Sequence, residues 1–293
     1  MRQRATSRLF LTHGATLPLA TPGTPLAPTR GPDGAGGVMI CYQGLGDEGG
    51  GIAHLDPDTG HVRELARHRP CQRQDGEALE TRGADGEQGK RAGCQFNSPN
   101  DVCRSCDGKG LFFTDPSYGY VQGFRDHAAE TRVYYLDLAT LEVSIAAEDF
   151  RQPNGVCASP CGRFIYATDT AYEVGDGTQC QACPRAIYQL DVAGPRGALS
   201  NRKLIANVNE GIPDGIKCDT DGLLFVGCGD GVRVYDPFAD KEDCHLGTLL
   251  VDGGVSNLTF CRNVLVANNQ TRMLAVELQT TGAERNDDGN NTL

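Results

Sequence analysis

The sequence has no tryptophan, few aromatic residues and no long apolar run, and each absence excludes a class of protein. A membrane-spanning helix needs about 20 consecutive apolar residues, and no segment approaches that length. The 27 lysines and arginines form no basic cluster and the net charge is -11, which argues against a nucleic-acid surface. We therefore expect a soluble protein that binds small molecules or cations, with neither membrane nor nucleic-acid partners. Its oligomeric state is not defined by the sequence.

Composition and missing motifs narrow the fold class further. With 38 glycines and 15 prolines among 293 residues, the chain resembles a turn-rich all-β protein more than a helical one. It contains no Walker-type phosphate loop, no HExxH zinc motif and no Gly-x-Ser-x-Gly nucleophile elbow. WD40 repeats are also excluded, because their signature residue is tryptophan.

The 13 cysteines are an odd number, so they cannot all pair within the chain. The apolar run 9–11 is too short for a secretory signal, and we expect mostly reduced cysteines in a cytoplasmic protein. Residues 1–36 hold arginines among Ser, Thr and Pro, which leaves an organellar transit segment or an atypical, disordered start as alternatives. The pairs Cys103/Cys106 and Cys180/Cys183 have zinc-site spacing, although Cys103 lies in a predicted strand, where neighbouring side chains diverge.

An internal repeat decides the fold. Three segments align without a gap: PNDVCRSCDGKGLFFTD from Pro99, PNGVCASPCGRFIYATD from Pro153 and PDGIKCDTDGLLFVGCG from Pro213. Each reads as a short strand, a glycine-containing turn and a second strand, and further strands are predicted at 131–137, 186–191 and 232–236. Repeated four-stranded units of this length are typical of the blades of a β-propeller. A shortened copy begins at Ser256.

The repeat also predicts a site. In a propeller, the inner strand of every blade starts near one mouth of the central channel, so equivalent positions converge there. The position before each inner strand holds Asn100, Asn154, Asp214 and Asn257. Three amides and a carboxylate suit a hard divalent cation. Taken singly, each residue is better explained as a turn former; the shared register favours the site.

The motifs NSPNDV, PNGVCASPCGRFIYATDT and PDGIKCDTDGLLFVGCGDGVRVYDP, with FFTDPSYGYVQGF after the first, resemble the SMP-30/gluconolactonase/luciferin-regenerating enzyme family, above all its fungal-type lactonases. The resemblance covers residues 37–278. It implies a six-bladed propeller that binds one divalent ion, such as Ca, Zn, Mg or Mn, and hydrolyses lactones. By position it implies that Asn154 and Asp214 are metal ligands, that Asp214 is the general base, and that Asn100 contacts substrate or water.

One departure from the family pattern matters. The third metal ligand of the family is a Glu near the start of its first blade, and no Glu precedes Glu48 here. We expect the first blade to be missing or atypical within residues 1–36, the propeller to occupy 37–278, and a polar tail to follow at 279–293. A site with one anionic ligand would hold its ion more weakly.

We therefore expect a metal-dependent lactone hydrolase in which Asp214 takes a proton from the attacking water. Asn100, Asp101, Tyr118 and Asn257 are the candidate substrate-binding residues. Asp101 has an equally good alternative as a backbone hydrogen-bond acceptor, and Tyr118 as a packing residue. Asp115 and Asp169 are expected to hold loops. The alternative function is a non-catalytic propeller that binds a metal or small ligand without turnover.

Overall fold

We determined the architecture from a computed structural model that describes residues 9–11, 15–17, 37–46, 48–71, 94–126, 129–173, 175–240, 244–269 and 271–283. Most of the expected atypical segment 1–36, and residues 284–293 of the expected tail, lie outside the described residues. Residues 280–283 pack on the hairpin turn within the third repeat, where Thr281 O accepts the N–H of Thr220 at 2.9 Å and Ala283 N–H donates to Cys218 O at 2.8 Å.

Five antiparallel sheets of three or four strands follow one another along the described part of the chain, which is the arrangement of a β-propeller. We number them blades 1 to 5, and in each blade neighbouring strands are consecutive in sequence. Two shorter pairs, β1–β2 and β6–β7, accompany them. The strands are β1 (Leu9–Leu11), β2 (Ala15–Leu17); blade 1, β3 (Val38–Leu45), β4 (Glu48–Leu55), β5 (Val62–Ala66); the pair β6 (His68–Arg69), β7 (Cys94–Gln95); blade 2, β8 (Val102–Arg104), β9 (Gly110–Asp115), β10 (Arg132–Asp137), β11 (Val143–Ala147); blade 3, β12 (Pro153–Ala158), β13 (Phe164–Asp169), β14 (Ala186–Val192), β15 (Leu199–Asn207); blade 4, β16 (Ile216–Cys218), β17 (Leu224–Cys228), β18 (Gly231–Tyr235), β19 (His245–Leu250); and blade 5, β20 (Asn257–Cys261), β21 (Val264–Asn268), β22 (Met273–Glu277).

Helical structure in the described residues amounts to the short helix α1 (Tyr118–Val121) and a 3-10 turn at Pro195–Gly197. Neither is long enough to cross a membrane. The prediction of an all-β propeller with little helix is confirmed. The strands predicted at 131–137, 186–191 and 232–236 are the third strands β10, β14 and β18, each followed by a fourth. Blades 1 and 5 differ from the four-stranded expectation, with three strands each in the described chain.

The hydrophobic core is divided into four clusters, and each lies between two successive blades. Side chains alternate across a strand, so Leu111 and Phe113 of β9 pack toward blade 1 while Phe112 packs toward blade 3. In β10, Tyr134 packs toward blade 1 and Tyr135 packs toward blade 3. Because both faces of a central blade are buried, its strands are apolar throughout, as in the runs LFF and VYYL.

Nine of the 13 cysteines form no disulfide. Cys103 and Cys157 occupy equivalent inner-strand positions and pack as small hydrophobic residues in the core. Two disulfides are present, Cys71–Cys94 and Cys180–Cys183. The zinc alternative is not supported, because Cys180 and Cys183 are bonded to each other and no metal-binding group of three or more His, Cys, Asp or Glu occurs among the described residues.

The inner strands β8, β12, β16 and β20 lie side by side in this order. Glycines allow the closest approach, since a Cβ on Gly155 of β12 would lie 2.4 Å from the backbone oxygen of Asp214. Such a distance is far inside van der Waals contact, and backbone atoms cannot turn away as a side chain can. The glycine of PNGV is therefore required by the distance between blades 3 and 4.

We predict that Gly155→Ala lowers the free energy of unfolding by about 1–3 kcal/mol, because the added methyl group separates two inner strands. Gly247→Ala is the matched control, since its Cβ would meet no atom within 4 Å in strand β19. That change should stay within about 0.5 kcal/mol of the parent protein. Urea unfolding monitored by circular dichroism measures both, and equal effects of the two variants would contradict the close-approach argument.

Candidate functional site

The same threonine contact joins successive blades and positions two of the expected site residues. Thr114 Oγ1 donates to the backbone oxygen of Asn154 at 2.6 Å, and Thr168 Oγ1 donates to the backbone oxygen of Asp214 at 2.9 Å. Thr114 and Thr168 are fifteen residues after Pro99 and Pro153 in the aligned repeats. Because one contact recurs in register, Asn154 and Asp214 occupy equivalent places at the starts of neighbouring inner strands.

Asn257 continues this arrangement into blade 5. Gly215 N–H donates to Ser256 O at 2.9 Å, which fixes the start of β16 against the start of β20. A Cβ on Gly215 would lie 2.3 Å from Asn257 Oδ1, so the amide of Asn257 lies against the residue that follows Asp214. Its Oδ1 also accepts the N–H of Leu258 at 2.8 Å. Asn257 thus stands beside Asp214 and caps its own strand.

Tyr118 lies at the centre of the site. Its hydroxyl accepts a hydrogen bond from Asn154 Nδ2 at 3.2 Å and contacts the hydroxyl of Thr170. Burial raises the pKa of Tyr118, and the negative charge of Asp214 raises it further. The phenol is therefore protonated at neutral pH. Tyr118 therefore contacts Asn154 through its hydroxyl, and its role in substrate binding stays a prediction.

Asn100 occupies the equivalent place in blade 2. Its side chain is buried, and its N–H donates to Thr114 O at 2.9 Å. Since Thr114 also binds the backbone of Asn154, one residue links the first two repeat positions. The four positions Asn100, Asn154, Asp214 and Asn257 thus follow one another along four adjacent inner strands.

Asp101 has a different environment from the glycines at its repeat position. Its Oδ2 accepts the N–H of Val156 at 2.9 Å and lies 3.8 Å from Lys217 Nζ. Both side chains of this ion pair are largely buried, at 13% and 9% exposure. Asp101 therefore ties blade 2 to blades 3 and 4, and its backbone hydrogen bond agrees with the alternative expected from sequence.

Lys217 is the residue that sequence reasoning missed. It stands within the apolar inner strand of PDGIKC, where a lysine must be paired to be buried. The signal that the sequence offers is this position, because a lysine stands where the other two repeats have Cys103 and Cys157. The pairing with Asp101 spans three repeats and cannot be read from local sequence.

Asp115 and Asp169 hold loops, as expected. Asp115 accepts the N–H groups of Asn97 and Ser98, at 3.0 and 2.8 Å. Asp169 accepts those of Arg151 and Gln152, at 2.9 and 3.0 Å. Burial raises the pKa of Asp115 to about 7, although these backbone donors oppose the shift. Both carboxylates lie at the ends of second strands. Each holds the loop that precedes the inner strand of its own repeat.

The donor set of the site consists mainly of amide oxygens. Asn154 donates its Nδ2 to Tyr118, so its Oδ1 points away from that hydroxyl. Amide and carboxylate oxygens are ligands that hard cations accept. The described residues contain no group of three or more His, Cys, Asp or Glu suited to a metal. The side-chain oxygens of Asn154 and Asp214 are of the chemical type that a hard cation accepts, and of these two residues only Asp214 is anionic.

These features define a β-propeller with an oxygen-rich polar site at the starts of its inner strands. Residues 33–261 match the family model described as the SMP-30/gluconolactonase/LRE-like region. The match covers most of the chain, and the chain belongs to this family.

Relatives of known name were found in fungi and bacteria. The chain is 30% identical over 119 residues to lactonohydrolase oryH of Aspergillus oryzae, covering 36% of this chain and 25% of that protein. It is 28% identical over 166 residues to a gluconolactonase of Zymomonas mobilis, covering 52% of this chain and 41% of that protein. The chain thus spans less than half the length of these curated relatives.

Solved structures share the fold. A gluconolactonase of Xanthomonas campestris superposes with a TM-score of 0.53 at 23% identity, covering 82% of each chain. Regucalcin of Agrobacterium tumefaciens, a calcium-binding protein, superposes with a TM-score of 0.53 at 16% identity, covering 88% of this chain and 90% of that one. At these identities the similarity establishes the propeller architecture.

We predict that Asp169→Asn lowers the free energy of unfolding by about 1–3 kcal/mol, because an amide nitrogen would face backbone N–H donors. The control is Asp149→Asn, an exposed residue at φ 64, a conformation that Asn adopts readily. Guanidinium unfolding of both variants provides the measurement. A loss in Asp149→Asn as large as in Asp169→Asn would contradict the anchoring role.

Proposed function

We propose that this chain is a lactone hydrolase whose reaction takes place at the starts of the inner strands, with Asp214 as general base. The observation that carries the proposal is the repeated threonine contact, which puts an amide and a carboxylate at equivalent places on adjacent strands. The names of the relatives in Aspergillus and Zymomonas support a lactone as substrate.

Asn154 and Asp214 would hold one divalent cation, for which Ca, Zn, Mg and Mn are the candidates. Their oxygens suit a hard ion, and the Tyr118 hydroxyl fixes the amide of Asn154 so that its oxygen is presented away from the phenol. When bound, such an ion supplies Lewis-acid polarisation of a lactone carbonyl.

The side chains of the chain itself divide the remaining work. Asp214 accepts a proton from the water that attacks the carbonyl carbon. The Tyr118 phenol stays protonated, because burial and the charge of Asp214 raise its pKa, and so it acts as a hydrogen-bond donor. Asn100 and Asn257, at the flanking positions, orient water or a ring hydroxyl. Asp101 holds the strands in register through Val156 and Lys217.

A second candidate function is a propeller that binds a metal or a small ligand without turnover. It is favoured by the single anionic side chain in the donor set, since cation affinity follows the charge and number of ligands. The two candidates differ in one measurable respect, which is multiple turnover of a lactone in the presence of a divalent ion.

We predict that Asp214→Asn lowers kcat by about 10²- to 10⁴-fold, the usual contribution of general acid–base catalysis. The amide is nearly isosteric, so the melting temperature should change little. Asp58→Asn, in the exposed turn after β4, is the control for loss of one negative charge. A pH-stat assay with a panel of sugar and aliphatic lactones, with Ca²⁺, Zn²⁺, Mg²⁺ or Mn²⁺ added in turn, measures the rates. Retained turnover in Asp214→Asn would exclude this base.

We predict that Asn154→Ala acts on cation affinity more than on the maximal rate. The concentration of divalent ion needed for half-maximal activity should rise about tenfold, as expected for one lost ligand. Tyr118→Phe should produce a smaller shift in the same direction, because it removes only the hydroxyl that orients the amide. Calorimetric titration of the apoprotein gives the affinity directly. If neither variant changes ion binding, Asn154 is not a ligand.

A further inference from the structure

A pocket lies at the opposite ends of the inner strands from Asp214. It is formed between the hairpin turn that follows β12 and the turn that follows β16, with Phe238 at its edge. Its volume is about 460 Å³, within the range of about 300–1,000 Å³ that is typical of small-molecule sites. Phe238 is 60% exposed, which leaves an aromatic surface at the rim.

Cys161 lines this pocket and is exposed. Its Sγ lies 3.3 Å from the Ser159 hydroxyl. Burial tends to raise the pKa of the thiol, but hydrogen bonds from Ser159 and Arg163 and the charge of Arg163 outweigh it and lower the pKa. The sulfur is therefore accessible, and its thiolate is stabilised by neighbouring donors, which is the environment of a reactive cysteine.

Tyr166 gives a second and independent indication of a ligand. The ring is fully buried in the wall of the pocket, and its hydroxyl has no hydrogen-bond partner among the described residues. Tyr166 and Cys161 both line this pocket. A buried hydroxyl without a partner is costly, and an acceptor atom of a ligand would satisfy it.

The charged groups of the pocket define the ligand further. Arg163 and Asp221 both line it, one cationic and one anionic. Arg163 suits a carboxylate and Asp221 suits an ammonium group. A molecule that carries both charges, a carbonyl acceptor for Tyr166 and a sulfur for Cys161 fits this set of groups.

We propose that this pocket is a thiol-modification site, in which Cys161 forms a mixed disulfide with a small peptide-like thiol that bears carboxylate and ammonium groups. The Cys161 thiolate attacks one sulfur of the symmetrical disulfide of that thiol. A new S–S bond forms as the old one breaks, and the departing thiolate takes up a proton from solvent. One disulfide is consumed and one is formed, so no further oxidant is required.

The other free cysteines are poorer candidates. Cys106 donates its thiol to Pro160 O at 3.6 Å. Cys261 is exposed but does not line the pocket. Six others are buried, and burial raises the pKa of Cys41, Cys218 and Cys228. The buried cysteines outside the two disulfides are Cys41, Cys103, Cys157, Cys218, Cys228 and Cys244.

The test exposes the native full-length protein to oxidised glutathione and locates the adduct by peptide mass mapping. We expect the Cys161 peptide to gain one glutathionyl group severalfold faster than the Cys261 peptide, since Ser159 and Arg163 stabilise the Cys161 thiolate. Cys161→Ser should abolish the fast adduct, whereas Cys261→Ser should leave it unchanged.

Two further variants separate binding from simple thiol reactivity. For each, the rate with glutathione disulfide is divided by the rate with the neutral hydroxyethyl disulfide, so that changes in the thiol pKa cancel. Arg163→Gln and Tyr166→Phe should both lower this ratio severalfold. Tyr166→Phe should keep the melting temperature of the parent, because the hydroxyl has no partner in the described structure.

Three outcomes would overturn the proposal. Equal rates at Cys161 and Cys261 would show that the pocket confers no reactivity. An unchanged ratio in both Arg163→Gln and Tyr166→Phe would show that it does not recognise the thiol. Oxidation of Cys161 to an intramolecular disulfide with Cys106, without the added mass of a glutathionyl group, would show that Cys161 pairs within the chain and does not form a mixed disulfide. None of these measurements depends on lactone hydrolysis.

Discussion

The hydrogen bond from a threonine hydroxyl to the backbone of the next blade is the constraint on which the site depends. Thr114 and Thr168 make it in register, to the carbonyls of Asn154 and Asp214. Each donor is fully buried, so the bond is shielded from water, and leaving either carbonyl without it would be costly. The close approach that it requires is available because Gly155 has no side chain between blades 3 and 4. Strand spacing and the placement of the polar residues therefore have the same cause.

The core follows from the same geometry. A blade packed on both faces must present apolar residues on both, and the alternation along β9 places Phe112 in one cluster and Leu111 and Phe113 in another. The stability of any central blade therefore depends on its two neighbours, as in other repeat architectures. Blade 5 shows the contrast, since Leu258 and Phe260 are buried against blade 4 whereas Met273 on its outer strand is exposed.

The sequence allowed the blades and the repeat positions to be predicted, because local alternation and a gapless register encode both. The loop-holding roles of Asp115 and Asp169 were also predictable, since each ends a second strand and has nearby backbone donors. What the sequence did not reveal depends on distances across blades. The Asp101–Lys217 ion pair joins residues of different repeats. The hydrogen bond that Asn154 donates to Tyr118 depends on the position of α1 relative to blade 3. The two disulfides are local pairings instead, since Cys180 and Cys183 are three residues apart and Cys71–Cys94 closes the β6–β7 pair.

The electrostatics of the proposed site follow from that ion pair. Asp101 and Asp214 are both carboxylates near the starts of inner strands, but the ammonium of Lys217 lies 3.8 Å from Asp101 and compensates its charge within the protein. In a partly buried environment such compensation is strong, because the effective dielectric is lower than in water. Asp101 would therefore contribute little attraction for a cation, and in the proposed mechanism Asp214 is the carboxylate that would act on a bound ion and on the proton of the attacking water. The two roles compete, since a carboxylate that neutralises a cation becomes a weaker base. A weakly held, exchangeable ion is the arrangement in which one residue can serve both.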